Sequence, residues 1–163
     1  MKKVRKEHLF CLDTNESKKL MSLPKLYEQE IKFSNGINVN YLSANFIPLD
    51  ANDELKATLQ GVSVQIDYKK PIRIKSSQKT VITLFKLKDR VKLRAYQVEA
   101  CDENKQSSHD GVNTIYGCHE HIGKDVIKIN KIYKVEDIPN WFNYFCGKVN
   151  LSFTGKISNI YEE

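Results

Sequence analysis

Apolar and polar residues alternate through the middle of this chain, and helical spacing is confined to its two ends. Val62, Val64, Ile66 and Tyr68 are separated by Ser63, Gln65 and Asp67, the two-residue period of a half-buried strand. Pro71 interrupts the pattern, and Ile72 and Ile74 would extend it past a bulge or edge position. Further on, Val81, Thr83, Phe85, Leu87, Val91, Leu93 and Ala95 share one parity, and Lys86, Lys88, Arg90, Lys92 and Arg94 share the other. Fully extended, residues 80–98 would run roughly 60 Å, so a turn is expected near Lys88-Asp89-Arg90. An odd-length loop there keeps Leu87 and Val91 on one face and with them the apolar row. Lys86, Lys92 and Arg94 then gather on the opposite, basic face.

The flanks read differently. Residues 14–20 suit a short helix, with Thr14 or Asn15 as N-cap and Leu20 and Met21 on its apolar side. Ser34-Asn35-Gly36 is a turn signal between Ile31/Phe33 and Ile37/Val39/Tyr41, which predicts a first hairpin. A polar turn is expected over 50–53, a polar loop over 101–113, and strands over 114–122 and 126–129. Asp137-Ile138-Pro139 opens a second helix, lined by Trp141, Phe142, Phe145 and Cys146 and ended by Gly147. Residues 151–153 suit a last strand and 159–163 a frayed tail. The expected fold class is α+β, a single antiparallel sheet with short helices at its N- and C-terminal ends. One domain over 1–163 is expected: a helical segment 1–30, the sheet 31–135, the helix 136–147, a final strand within 148–158 and the tail.

Charge adds a possible partner. The net charge is +6, and Asp67 to Arg94 holds ten Lys or Arg against two Asp. Such an excess draws nucleic acid or an acidic protein, or it is an ordinary solvated surface. No apolar run approaches the ~20 residues that span a bilayer. The basic start, residues 1–6, is followed by a stretch too short and mixed for a signal-peptide core. A cytoplasmic location is expected, the host cytoplasm if the gene is a phage's, with no membrane partner. Cys11, Cys101, Cys118 and Cys146 are scattered without a Cys-x-x-Cys pair, which argues against a zinc knuckle. Cys11 and Cys146 suit buried positions, Cys118 stays open, and no cofactor is expected.

Three of the four histidines, His109, His119 and His121, fall within one short stretch. Imidazole titrates near neutral pH and is the commonest metal ligand. On a strand His119 and His121 share a face, while Cys118 and Glu120 take the other. His109 and Asp110 could fold back from the preceding loop, where Gly111 permits a reversal. Three readings stay open. His119 and His121, with Asp110 or His109, could bind a divalent metal. His109, His119 and His121 could serve as acid and base on RNA, with Lys92 or Arg94 stabilising phosphate charge. Or the histidines order the loop by hydrogen bonding. The paired His-x-Ser/Thr motif of two-histidine phosphoesterases is absent.

The order of Leu93-Arg94, Ser108-His109-Asp110-Gly111, Ile115-Tyr116-Gly117-Cys118-His119-Glu120-His121-Ile122 and Cys146-Gly147 resembles a small family found in bacteriophages and mobile elements. That family carries an Arg-containing strand, a turn, a Gly-x-His-x-His strand and a Phe-rich helix near a Cys, over roughly residues 90–147 here. This chain has Tyr96 where the family tends to have Asp, and His109 where it has Pro. The His-x-His strand also resembles, more loosely, that of some small toxin ribonucleases. The resemblance implies a phage setting with an anti-defence role, of the anti-CRISPR kind, or a toxin. The expectation is an inhibitor, not an enzyme, that binds a host defence complex or its RNA or DNA through Lys86, Lys88, Arg90, Lys92, Arg94 and Tyr96. The alternative is a metal-independent ribonuclease or toxin using His109, His119 and His121.

Overall fold

A computed structural model describes residues 10–36 and 38–160. The expectations for residues 1–9, Ile37 and 161–163 lie outside the described residues. The chain folds as α+β, with most of its strands in one large antiparallel sheet and helices flanking it.

The first helix, α1 (Thr14–Ser22), is capped by Asp13, whose carboxylate accepts from the Asn15 and Glu16 amides. The carboxylate of Asp13 satisfies orphan N–H groups, so the cap falls one residue earlier than Thr14 or Asn15. Then come β1 (Lys25–Tyr27), β2 (Ser34–Asn35), β3 (Tyr41–Phe46), β4 (Leu49–Asp50) and β5 (Val62–Lys69). Ser34 and Asn35, expected in a turn, are paired with Ser43 and Leu42, and the reversal lies beyond them. Ile72 and Ile74 do not extend β5; they bridge each other beside a 3₁₀ turn over Lys75–Ser77.

The longest strands are β6 (Lys79–Lys88) and β7 (Val91–Cys101). The remaining elements are β8 (Gln106–His109), β9 (Thr114–Tyr116), β10 (His119–Ile122), β11 (Asp125–Lys128), α2 (Ile138–Val149) and β12 (Leu151–Phe153). The expected polar loop therefore hides a strand: β8 pairs with β9 as a separate hairpin, and Gly117-Cys118 separates β9 from β10. The second helix runs through Gly147 to Val149 and ends on Asn150, left-handed at φ 55°. Asn tolerates that conformation, so the helix can stop there rather than at Gly147.

The large sheet has the order β11-β10-β7-β6-β5-β3-β2. Last strand β12 does not join it; it pairs in parallel with β1, which also pairs with β4, so the expected single sheet is three. On one face of the large sheet, Val64, Leu84 and Tyr96 form one rung and Ile66, Ile82 and Val98 another. Trp141, Phe142, Phe145 and Val149 of α2 are buried with them. Each such side chain contributes about 2 kcal/mol when fully buried. Leu20 and Met21 of α1 pack against the same core.

The core parity in β6 reverses expectation. Thr80, Ile82 and Leu84 face the helices, whereas Val81, Thr83 and Phe85 face away. Both parities of this strand are apolar or neutral from Thr80 to Phe85, so alternation alone does not choose the inward one. The β6–β7 connection is a two-residue turn, Asp89-Arg90, both at positive φ (50° and 66°), instead of an odd loop. It sets Leu87 opposite Lys92 rather than beside Val91.

Candidate functional site

The face of the large sheet turned away from α2 is lined largely by polar side chains. Ser43 comes from β3, Gln65 and Asp67 from β5, Thr83 and Phe85 from β6. Across from them lie Arg94, Gln97 and Glu99 of β7, and His119 and His121 of β10. A β-bulge creates this row. Leu84 pairs with Tyr96 and Phe85 pairs with Arg94, so Ala95 is the extra residue on β7. An inserted residue shifts the strand's phase by one. Arg94 and Gln97, of opposite parity in sequence, therefore share a face.

The expected basic face is split by the same bulge and turn. Lys92 and Arg94 lie on the polar face, with Leu87 and Phe85 as partners. Lys86 pairs with Val62 and Leu93 on the helix side, and its ammonium donates to the Gln60 carbonyl at 3.1 Å. Lys88 forms an ion pair with Glu16 of α1 at 3.1 Å. Arg90 occupies the turn. Tyr96, expected at the surface, is fully buried and donates to the Glu120 carboxylate at 2.7 Å. Burial, with that carboxylate beside it, pushes the phenol pKa far above its ordinary value.

His119 and His121 share the polar face, and Glu120 and Cys118 point into the core, as the strand period requires. Nε2 of His119 lies 3.0 Å from Glu99 Oε2, and Nδ1 lies 3.2 Å from the Gly117 carbonyl oxygen. Both ring nitrogens thus face acceptors inside the protein, and the ring is 1% exposed. Burial works to raise the Glu99 pKa, but the hydrogen bond and charge of His119 and the Lys79 ammonium, 3.5 Å away, hold it below the ordinary value. The His121 ring stands at 84° to that of His119, with centroids 4.9 Å apart. Burial, then the positive charges of Arg94 and His119, drives the His121 pKa down to about 3, so this imidazole is neutral across the physiological range.

His109 does not belong to this group. It sits at the far end of the β8–β9 hairpin, where its Nδ1 accepts from the Gly111 amide at 2.9 Å. Asp110 accepts from the Val112 and Asn113 amides in the same turn. Asp110 is therefore engaged at the hairpin tip rather than beside His119 and His121. Among the described residues, no cluster of three or more His, Cys, Asp or Glu is placed to hold a metal ion. Cys11, Cys101, Cys118 and Cys146 are all buried. Burial raises the thiol pKa of Cys118, and lifts Cys101 and Cys146 to about 12.

Other polar-face residues were not legible as site residues. Asp67 accepts from Ser43 Oγ and from the Gln65 amide at 2.9 Å, and Gln97 donates to Thr83 Oγ1 at 2.7 Å. Only cross-strand register assembles them. Beside them a cleft of about 740 Å³ runs past Asn45, Ser63 and Lys92 toward the β2–β3 reversal.

Lys92 and Arg94 on this face, like most described Lys and Arg, are not among the cations paired with a carboxylate. Lys56, Lys75, Lys79, Lys88, Lys131 and Lys148 each lie within 4.0 Å of a carboxylate. Lys92 instead sits 4.4 Å over the Phe85 ring and 3.4 Å from Gln65 Oε1. Arg94 donates from Nη2 to Cys11 Sγ at 3.1 Å, and among the described residues its buried Nε has no hydrogen-bond partner. Among the described residues, neither has a carboxylate within ion-pair distance.

No helix among the described residues is long and apolar enough to cross a membrane. No protein-family model, curated protein or solved structure matches the chain.

Proposed function

We propose that this is a non-catalytic binding protein of the phage anti-defence kind, which engages the nucleic acid of a host defence complex through the Lys92–Arg94 side of its sheet. The observation that carries the reading is the pair of cations on one sheet face whose partners are neutral. Uncompensated Lys and Arg supply the sequence-independent part of nucleic-acid affinity through counterion release. Gln65 and Gln97 add neutral hydrogen-bonding groups, and Phe85 an aromatic surface, the mixture that suits phosphate, sugar and base. Arg90 at the hairpin tip extends the positive potential. The phage setting rests on the resemblance over residues 90–147.

Binding of labelled single- and double-stranded RNA and DNA, measured across a salt series, tests this. Affinity is expected to fall linearly on a log–log plot, with a slope smaller by about one charge for Lys92→Gln. Absence of binding to all four probes at low salt overturns the reading.

The ribonuclease reading has one observation in its favour, the orientation of His119 by Glu99. A catalytic base works best with a pKa near the operating pH. His121 lies far below that range and His119 is closed off, so the geometry favours binding. Multiple-turnover RNA cleavage lost on joint replacement of His119 and His121 by Ala, in a folded protein, would reverse this preference.

A further inference from the structure

We propose that the cleft along β3 and β5, lined also by Lys92 of β7, receives the ribose of a ribonucleotide. Asp67 accepts from the 2′-hydroxyl and Lys92 meets the adjoining phosphate. The inference rests on the nucleic-acid reading above and names the kind of strand that the sheet holds.

The first support is a cavity whose groups are already aimed. The cleft measures about 740 Å³, within the range of small-ligand sites, and Ser43, Asn45, Ser63, Gln65, Asp67 and Lys92 all line it. Strand register sets Ser43 opposite Asp67 and Asn45 opposite Gln65, on neighbouring same-face rungs. One hydrogen-bonded chain joins four of these side chains. Lys92 Nζ donates to Gln65 Oε1 at 3.4 Å, and Gln65 Nε2 donates to Asp67 Oδ2 at 2.9 Å. Ser43 Oγ donates to Asp67 Oδ1. The chain fixes which end of the Gln65 amide faces the carboxylate. It also sets the cation and the anion of the cleft one amide apart.

The second support is the unspent capacity of Asp67. An ionised carboxylate accepts at about four lone-pair sites. Among the described residues, the side chains that donate to Asp67 are Ser43 and Gln65, both neutral. None of the ion pairs among them includes it. Asp67 is half-buried on the cleft wall, so its remaining lone pairs are open to a donor from a ligand. A hydroxyl donating to a carboxylate makes a short hydrogen bond, roughly twice as strong as one between neutral groups.

The third support is the match of the walls to a sugar. The Asn45 amide and the Ser63 hydroxyl can each donate and accept, as sugar hydroxyls do. An anion alone is repelled by Asp67, and a cation alone is repelled by Lys92. A sugar phosphate presents a hydroxyl to Asp67 and an anion to Lys92. The 2′-hydroxyl is the group that separates RNA from DNA. The same chemistry is found in an RNA strand and in a free ribonucleotide.

The test is fluorescence anisotropy with RNA, DNA and 2′-O-methyl RNA of one sequence, joined by calorimetry with a ribonucleoside monophosphate and its 2′-deoxy counterpart. RNA is expected to bind about tenfold more tightly than DNA or 2′-O-methyl RNA, the worth of one hydrogen bond to a charged group. Asp67→Asn, nearly isosteric, should bring RNA down to the level of DNA, whereas a merely structural role would weaken both strands. Asn45→Ala, at an exposed position, should reduce the preference several-fold without risk to the fold. Lys92→Gln should weaken RNA and DNA alike and leave their ratio. Equal affinity for the three strands, or a wild-type preference in both Asp67→Asn and Asn45→Ala, overturns the cleft assignment. If strands bind without regard to the sugar, the cleft fails and the nucleic-acid reading stands. If no strand binds but the ribonucleotide does, and Asp67→Asn abolishes it, the cleft stands and the reading fails. Silence with every probe overturns both.

Discussion

The Lys25 ammonium lies 2.7 Å from the carbonyl oxygen of Val149, the last residue of α2. The same ammonium reaches the Leu20, Met21 and Leu23 carbonyls at the end of α1. One buried cation therefore closes the C-termini of both helices, where carbonyls lack partners and the helix dipole is negative.

Replacement of Lys25 by Met should destabilise the fold by about 2 kcal/mol at neutral pH, because buried carbonyls lose their donor. Burial pushes the Lys25 pKa down to about 8. Between that value and the unfolded value of about 10.4, the unfolded chain holds a proton that the folded chain has released. The Lys25 contribution to stability therefore rises with pH across that window. Urea melts at pH 7 and 10 should show a larger wild-type advantage over Lys25→Met at the higher pH.

Glu99 carries the same sign in the acid range. Its folded pKa is below that of the unfolded carboxylate, about 4.3, so its contribution is complete above that pH. It is lost as pH falls through the lower folded value. Glu99→Gln should flatten the acid limb of the stability curve and lower stability at pH 7, where His119 and Lys79 lose their carboxylate. Denaturant midpoints at pH 3, 5 and 7 measure this.

Tyr96→Phe separates core from surface. The hydroxyl donates to buried Glu120, which also receives the Tyr144 hydroxyl at 3.3 Å and has Lys148 at 3.7 Å. Losing one of these donors should cost about 1–3 kcal/mol. Affinity for nucleic acid should not change, whereas a surface role for Tyr96 would lower it.

The Asp89-Arg90 turn is strained by chemistry, since Asn-Gly is the favoured pair when both φ are positive. Arg90→Gly should raise stability by about 0.5–1 kcal/mol. It should also reduce the salt slope of binding by about one charge, since Arg90 lies at the exposed hairpin tip. A thermal melt and a salt series on one variant check both effects.

Much of the architecture is legible in particular residues. Val62 to Tyr68 has a clean alternation and becomes a strand with its even positions buried. Pro139 and the aromatic spacing of Trp141, Phe142 and Phe145 mark α2 and its buried face. What fails is phase. From Thr80 to Phe85 neither parity is distinctly polar, and a bulge one residue long leaves no trace in composition. The basic row thus reads as one face when it is two, and Tyr96 reads as surface. Glu99, Asp67 and Lys79 enter the site through pairing between strands far apart in sequence, which local pattern does not encode. The pairing of His119 with His121 was legible because i and i+2 on a strand always share a side. The separation of His109 follows from a hairpin that its polar sequence conceals.

The extra residue in β7 has a further consequence. Because Ala95 offsets the phase, the hairpin tip and the sheet body are out of step, like two gears meshed through one added tooth. Removing Ala95 would not leave a gap; it would rotate one half against the other, driving Arg94 toward the helices or turning Tyr96 outward. The tip, residues 86–94, takes its outward charges from that offset: Lys92 and Arg94 face the polar side, while Lys86 stays on the helix side and Lys88 is held by Glu16 of α1.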